Sequence, residues 1–98
     1  MVSHAVRQYM RTLTNNTDLY EYLVGLERNL REHGLPELGD KLAIACKQAA
    51  ATSTEFLGEA RIALREVSGR GRMALTGDER TDLDGVLRQL DAALDRRR

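Results

Sequence analysis

Apolar side chains recur along this chain at intervals of three and four residues, the spacing that gathers them onto one side of a helix. Val6, Tyr9, Met10 and Leu13 share a face over a short helix predicted at about residues 3 to 13. Leu19, Leu23, Leu26 and Leu30, with Tyr22 beside them, mark a second over about 17 to 33. The longest stripe runs Leu42, Cys46, Ala49, Ser53, Leu57, Ala60, Leu64 and Val67, and predicts one helix over about 36 to 67. Leu83, Val86, Leu87, Leu90 and Leu94 form the buried face of a last helix over about 76 to 96.

Local signals punctuate these stripes. Thr14-Asn15-Asn16-Thr17 offers four side chains that bond the nearby backbone, so it predicts a turn and then an N-cap at Asn16 or Thr17. Gly34 can take the left-handed conformation that closes a helix, and Pro36 suits the first turn of the next, where its missing N–H costs nothing. Ser68-Gly69-Arg70-Gly71-Arg72 carries two glycines within three residues and predicts a flexible connector. Thr76-Gly77-Asp78-Glu79 fits a capping box at the head of the last helix.

A single helix from Pro36 to Val67 would run about 48 Å at roughly 1.5 Å per residue, so it needs neighbours along its whole length. Methyl-sized side chains fill its middle, and Ala43 to Thr54 is predicted as a close crossing point. Residues 3 to 33 match it in length and would fold back on it through Gly34-Leu35-Pro36. The fold class predicted is therefore all-α, an antiparallel three- to four-helix bundle around one long central helix, in a single domain over residues 1 to 98. The last helix, about 30 Å long, can cover only the C-terminal two-thirds of that post. An apolar strip near Leu38, Leu42 and Ile44 is left over, and with the edge of Leu19, Tyr20 and Tyr22 it forms the predicted interaction surface. The occupant is a second copy or another protein; the competing expectation is that the N-terminal helix swings over the strip.

Composition narrows the class of function. With 98 residues the chain buries enough surface for one cooperative core. Cys46 is the only cysteine, which excludes an internal disulfide framework and favours a reducing cytoplasm. The uncharged run from Gln48 to Thr54 falls far short of the roughly 20 residues that span a bilayer, and the start of the chain lacks the basic and apolar segments of a signal peptide. Basic and acidic residues balance at 15 each, so no global field attracts nucleic acid or anionic lipid. Thirteen of the basic residues are arginine, a bias of GC-rich bacterial genomes.

Candidate chemistry is sparse. Glu27 with Arg31, Arg28 with Glu32, Glu37 with Lys41 and Asp84 with Arg88 stand four apart, the spacing of solvated pairs along a helix. Cys46 lies on the small-residue stripe with no activating neighbour, and reads as core. His4 and His33 have no metal-ligand spacing, and His33 before Gly34 reads as a helix end. Asn15-Asn16-Thr17 matches a glycosylation sequon but reads as a cap, and no glycine-rich loop joins a strand to a helix. No catalytic residue, metal ligand or cofactor is assigned. Arg70 and Arg72, with Arg96, Arg97 and Arg98, supply the alternative reading, a nucleic-acid-binding regulator. Against it, residues 69 to 98 hold six acidic side chains beside seven basic ones, and only four aromatics are available to stack on bases. The sequence thus predicts a non-enzymatic bacterial helical protein that acts through protein–protein contact, as a homodimer.

Overall fold

Helix dominates the described residues, 15–50 and 52–96 of a computed structural model, but the chain divides it differently from the apolar stripes. The helix predicted over 3 to 13 and the terminal Arg97 and Arg98 lie outside the described residues. Helix α1 spans Asn16–Glu32. Its N-cap is Asn15, one residue ahead of the earliest predicted position, because the Asn15 side chain accepts a 2.8 Å bond from the Asp18 backbone N–H. The far end closes as a Schellman motif: Leu35 N–H reaches back to the Leu30 carbonyl at 2.9 Å and Gly34 N–H to that of Arg31 at 3.1 Å. Gly34 takes φ of 81°, which a side chain would resist, and Pro36 then opens helix α2, Pro36–Cys46.

The predicted helix over residues 36 to 67 is not continuous. After α2 the chain tightens into a 3-10 turn over Lys47–Ala50, becomes extended at Thr52 (φ −70°, ψ 156°), and restarts as helix α3 over Ser53–Glu66. A capping box fixes the restart. Glu55 N–H donates to Thr52 Oγ1 at 3.1 Å, and Thr52 N–H donates to the Glu55 carboxylate at 3.4 Å. Thr52, Ser53 and Thr54 gain less from continuing a helix than straight-chain residues do, since their hydroxyls compete for local backbone groups. The small-residue middle thus marks a reversal and not a crossing. The reversal lays α3 back along α2, so that Arg70 comes within 3.5 Å of Glu37 at the opposite end of the hairpin.

Beyond α3 the predicted flexible connector is wound. Val67–Gly71 forms a π-helical turn and Arg72–Ala74 a 3-10 turn. Gly71 is buried, and a Cβ built there would lie 2.7 Å from Leu38 Cδ1, so glycine allows this turn to press onto the start of α2. Helix α4, Gly77–Arg96, starts on the predicted capping box: Glu79 N–H bonds Thr76 Oγ1 at 3.1 Å and Thr76 N–H bonds the Glu79 carboxylate at 2.7 Å.

Side-chain links fix how the helices run. Asn16 bonds Ser53 at 3.1 Å, which brings the heads of α1 and α3 together. Asn29 near the end of α1 bonds Glu79 near the start of α4 at 2.8 Å, and Arg61 of α3 meets Asp91 of α4 at 3.1 Å. One apolar core lies between them, built from Leu19, Leu23, Leu26 and Leu30 of α1, Leu38, Leu42 and Ala45 of α2, Phe56, Leu57, Ala60, Ala63 and Leu64 of α3, and Leu83, Val86 and Leu90 of α4. Four residues predicted to line an accessible groove therefore belong to the interior: Leu19, Tyr22, Leu38 and Leu42 are all buried. Once α3 turns back, Leu38 and Leu42 of the strip that a straight helix of about 48 Å would leave bare are enclosed in the core, Leu38 against the turn at Gly71, while Ile44 stays exposed. Among the described residues there is no strand and no helix long and apolar enough to cross a membrane.

Candidate interaction surface

The two helices of the α2–α3 hairpin each carry an isoleucine on the side opposite the core. Ile44 stands two positions past Leu42, and Ile62 two positions before Leu64; two positions are about 200° around a helix at 3.6 residues per turn. They are 54% and 60% exposed, while Leu42 and Leu64 are fully buried. Single exposed apolar residues are ordinary, but Ile44 and Ile62 line the same shallow groove, with buried Ala63 as its floor and Lys41, Glu59 and Glu66 around its rim. Removing an isoleucine side chain from water is worth about 1.5–3 kcal/mol. Among the described residues, neither collects more than about half of that gain.

Of the predicted surface, Ile44 and Tyr20 remain accessible, and they line separate grooves. Tyr20 borders a groove with Asn16, Thr17 and Ala49. Ile62, Lys41 and Glu59 were not predicted as surface partners of Ile44. An isoleucine off the Leu57-Ala60-Leu64 stripe was the available signal, and a continuous 36-to-67 helix would have placed it far from Ile44.

The rim charges differ in how they are engaged. Glu66 holds Arg70 at 3.1 Å, and Arg70 also reaches Glu37. Lys41 and Glu59 make no ion pair or side-chain hydrogen bond among the described residues. Glu37, the four-residue neighbour expected to hold Lys41, turns to Arg70 instead.

Two arginines of the nucleic-acid reading, Arg70 and Arg72, face carboxylates. Arg72 binds Asp84 through two parallel 3.0 Å bonds, which keep the guanidinium protonated more firmly than usual and hold the Asp84 carboxyl below its ordinary range. Its backbone carbonyl accepts a 3.0 Å bond from Arg80 Nε, so the turn is anchored at two points. Arg70 sits between Glu37 and Glu66, and Arg96 borders a groove with Asn15, Leu57 and Ala93 at the other end of the molecule. Of these arginines the described ones, Arg70, Arg72 and Arg96, are thus divided between the two ends of α4. Elsewhere Arg31 bonds Glu27 and Asp40, at 2.9 Å and 3.0 Å, so one of the four-residue pairs read from the sequence forms and extends to the next helix.

Cys46 is half-buried at the end of α2, against the core. Desolvation raises its thiol above the ordinary range, with the nearby Glu27 charge acting in the same direction. A thiol so placed is a weak nucleophile. His33 Nδ1 lies 2.7 Å from the Asn29 carbonyl, a local contact at the helix end. Among the described residues, no group of three His, Cys, Asp or Glu side chains converges to hold a metal ion. No protein-family model, curated protein or solved structure matches the chain.

Proposed function

We propose that this chain is a small helical-bundle protein that acts without chemistry of its own, by docking the outer face of its α2–α3 hairpin onto another polypeptide. The observation that carries this reading is the pairing of Ile44 with Ile62 in one groove, outside a core that is filled without them. Two β-branched side chains held on adjacent helices lose little freedom on being covered, so an apolar partner surface gains their burial at low entropic cost. A lone, half-buried cysteine is compatible with a reducing compartment, and a bacterial cytoplasm remains the setting we favour.

The nucleic-acid alternative is less well supported. Arg70 and Arg72 would each have to give up a carboxylate to meet a phosphate, and their release would loosen the turn that covers Leu38.

Photo-crosslinking in the host tests the docking reading. A benzophenone side chain at position 44 should yield an adduct heavier than the chain, and the adduct should fade when Ile62→Glu is added. The same probe at exposed Glu32, on the end of α1, serves as control. A probe at position 44 that captures no other polypeptide overturns the reading.

A further inference from the structure

The bundle has an open side. Helices α1 and α2, α2 and α3, and α3 and α4 lie in close contact, while α1 and α4, the first and the last, stand further apart. Asn29 and Glu79 bridge them at one end by a 2.8 Å bond. Two grooves follow this seam. The one beside the bridge is lined by Tyr22 and Leu26 of α1 and by Glu21, Glu79 and Asp82, with no basic residue among its described lining. The other, at the head of α1 and the tail of α4, is lined by Leu19, Leu90 and Ala93, with Arg96 as the charged residue among its described lining. Gly25 faces the seam from the middle of α1, exposed, and a Cβ built there would meet nothing within 4 Å. Glycine weakens a helix interior, and a second helix laid closely over this position would give it a purpose.

The chain brings its own occupant to this seam. Residues 1–14 join it at Asn15, itself a lining residue, whose extended backbone (φ −160°, ψ 177°) turns the chain off the axis of α1. The segment places Val6, Tyr9, Met10 and Leu13 on one helical face and Arg7 and Arg11, four apart, on a flank of that face, and it holds no acidic residue. As a helix, residues 3–13 would span about 16 Å, and the seam from Asn16 to Leu26 spans about 15 Å. Apolar face, length and charge all match. We propose that residues 3–13 wind into a helix, double back at Thr14 and Asn15, and lie in the α1–α4 seam of their own chain. Val6, Tyr9, Met10 and Leu13 then cover Leu19, Tyr22 and Leu26, and Arg7 and Arg11 reach toward the acidic rim.

The tether favours the chain's own segment over that of a second copy. A two-residue link is enough to reverse one helix against the next, and it holds the segment beside the seam at an effective concentration on the order of millimolar. Another molecule at micromolar concentration competes poorly with that. A helix this short is marginal in water on its own, so the segment gains its order from the seam. Seated there, it acts as a strap that withholds the open side of the bundle from other helices. This contact lies on α1 and α4 and is independent of the docking face on α2 and α3.

Two measurements on the purified full chain test the strap. Amide exchange over residues 6–13 should be slower than in an unstructured peptide. R7E combined with R11E should speed it about fivefold, and adding E21K and D82K to that variant should restore the protection. Circular dichroism checks that the other helices are intact in each variant. A benzophenone side chain in place of Met10 should crosslink within one chain, to residues 15–29 or 79–93, with a yield that dilution does not change. Exchange at the unstructured rate leaves the seam to a foreign helix and overturns the proposal. Protection indifferent to the charge changes, or crosslinks that fall on α2 or α3, overturn it as well. Adducts that join two chains and fade on dilution assign the seam to a second copy's segment and overturn the contact within the chain.

Discussion

Arg72 and Asp84 meet end to end across twelve positions of sequence, each guanidinium nitrogen donating to a different carboxylate oxygen at 3.0 Å. The pair ties the 3-10 turn after Gly71 to the second turn of α4, and so holds the cover over Leu38 in place. Its carboxyl is held below the ordinary range chiefly by the hydrogen bonds from Arg72, so the folded state binds this proton less readily than the unfolded chain. The stabilisation is then fully present above the unfolded carboxyl pKa and is lost as pH falls through the lower, folded value. D84N should lower the urea midpoint at pH 7, and the gap from wild type should close in acid. Both groups are partly solvated, so the gap will be small and reduced by salt. A gap that persists unchanged at pH 2 would assign the effect to packing instead.

Thr52 should behave as a cap and not as an interior helical residue. T52A removes the acceptor for Glu55 N–H and is expected to cost about 1 kcal/mol in chemical denaturation. Were residues 36 to 67 one helix, alanine would stabilise the same position by a few tenths of a kcal/mol. The sign of the change decides between the two geometries.

Phe56 and Ile62 share α3 and should differ sharply. Phe56 is fully buried, so F56A should destabilise the fold by about 3–5 kcal/mol and bring it close to unfolding at ambient temperature. I62A, on the outer face, should change the stability of the monomer by no more than about 0.5 kcal/mol. Thermal melts at low protein concentration measure both without interference from association.

Cys46 should alkylate slowly. With its thiol raised by desolvation, iodoacetamide at neutral pH should react at a small fraction of the rate seen in urea, where the side chain is released. Equal rates in both conditions would show that the end of α2 opens readily.

The ends of the elements were legible where one local motif acts alone. Gly34 before Pro36 and the Thr76-to-Glu79 box carry their conformations in a few adjacent residues, and both appear where expected. Thr52-Ser53-Thr54-Glu55 has the same signature as Thr76 to Glu79, yet the stripe of apolar and small residues runs straight through Ser53 and hides it. The stripe misleads because alanine and serine satisfy a buried position and a turn equally well. Phe56 gave no contrary signal: seven residues past Ala49 and four before Ala60, it falls on the same face of a continuous helix, and it is buried here as well. The interaction surface was harder to see. Whether Leu42 or Ile44 faces water depends on what α3 covers, and contacts such as Arg72 with Asp84 are set by packing between distant segments.

The extended residue at Thr52 also frees α2 and α3 from a common rotation. In an unbroken helix, one residue gained or lost near Ala49 would swing everything beyond it by about 100° and carry Phe56 out of the core. Here the turn absorbs such a change, and α3 takes its phase afresh from its own cap. Segment 47–52 is thus where this chain can change in length while both banks of the isoleucine groove keep their facing.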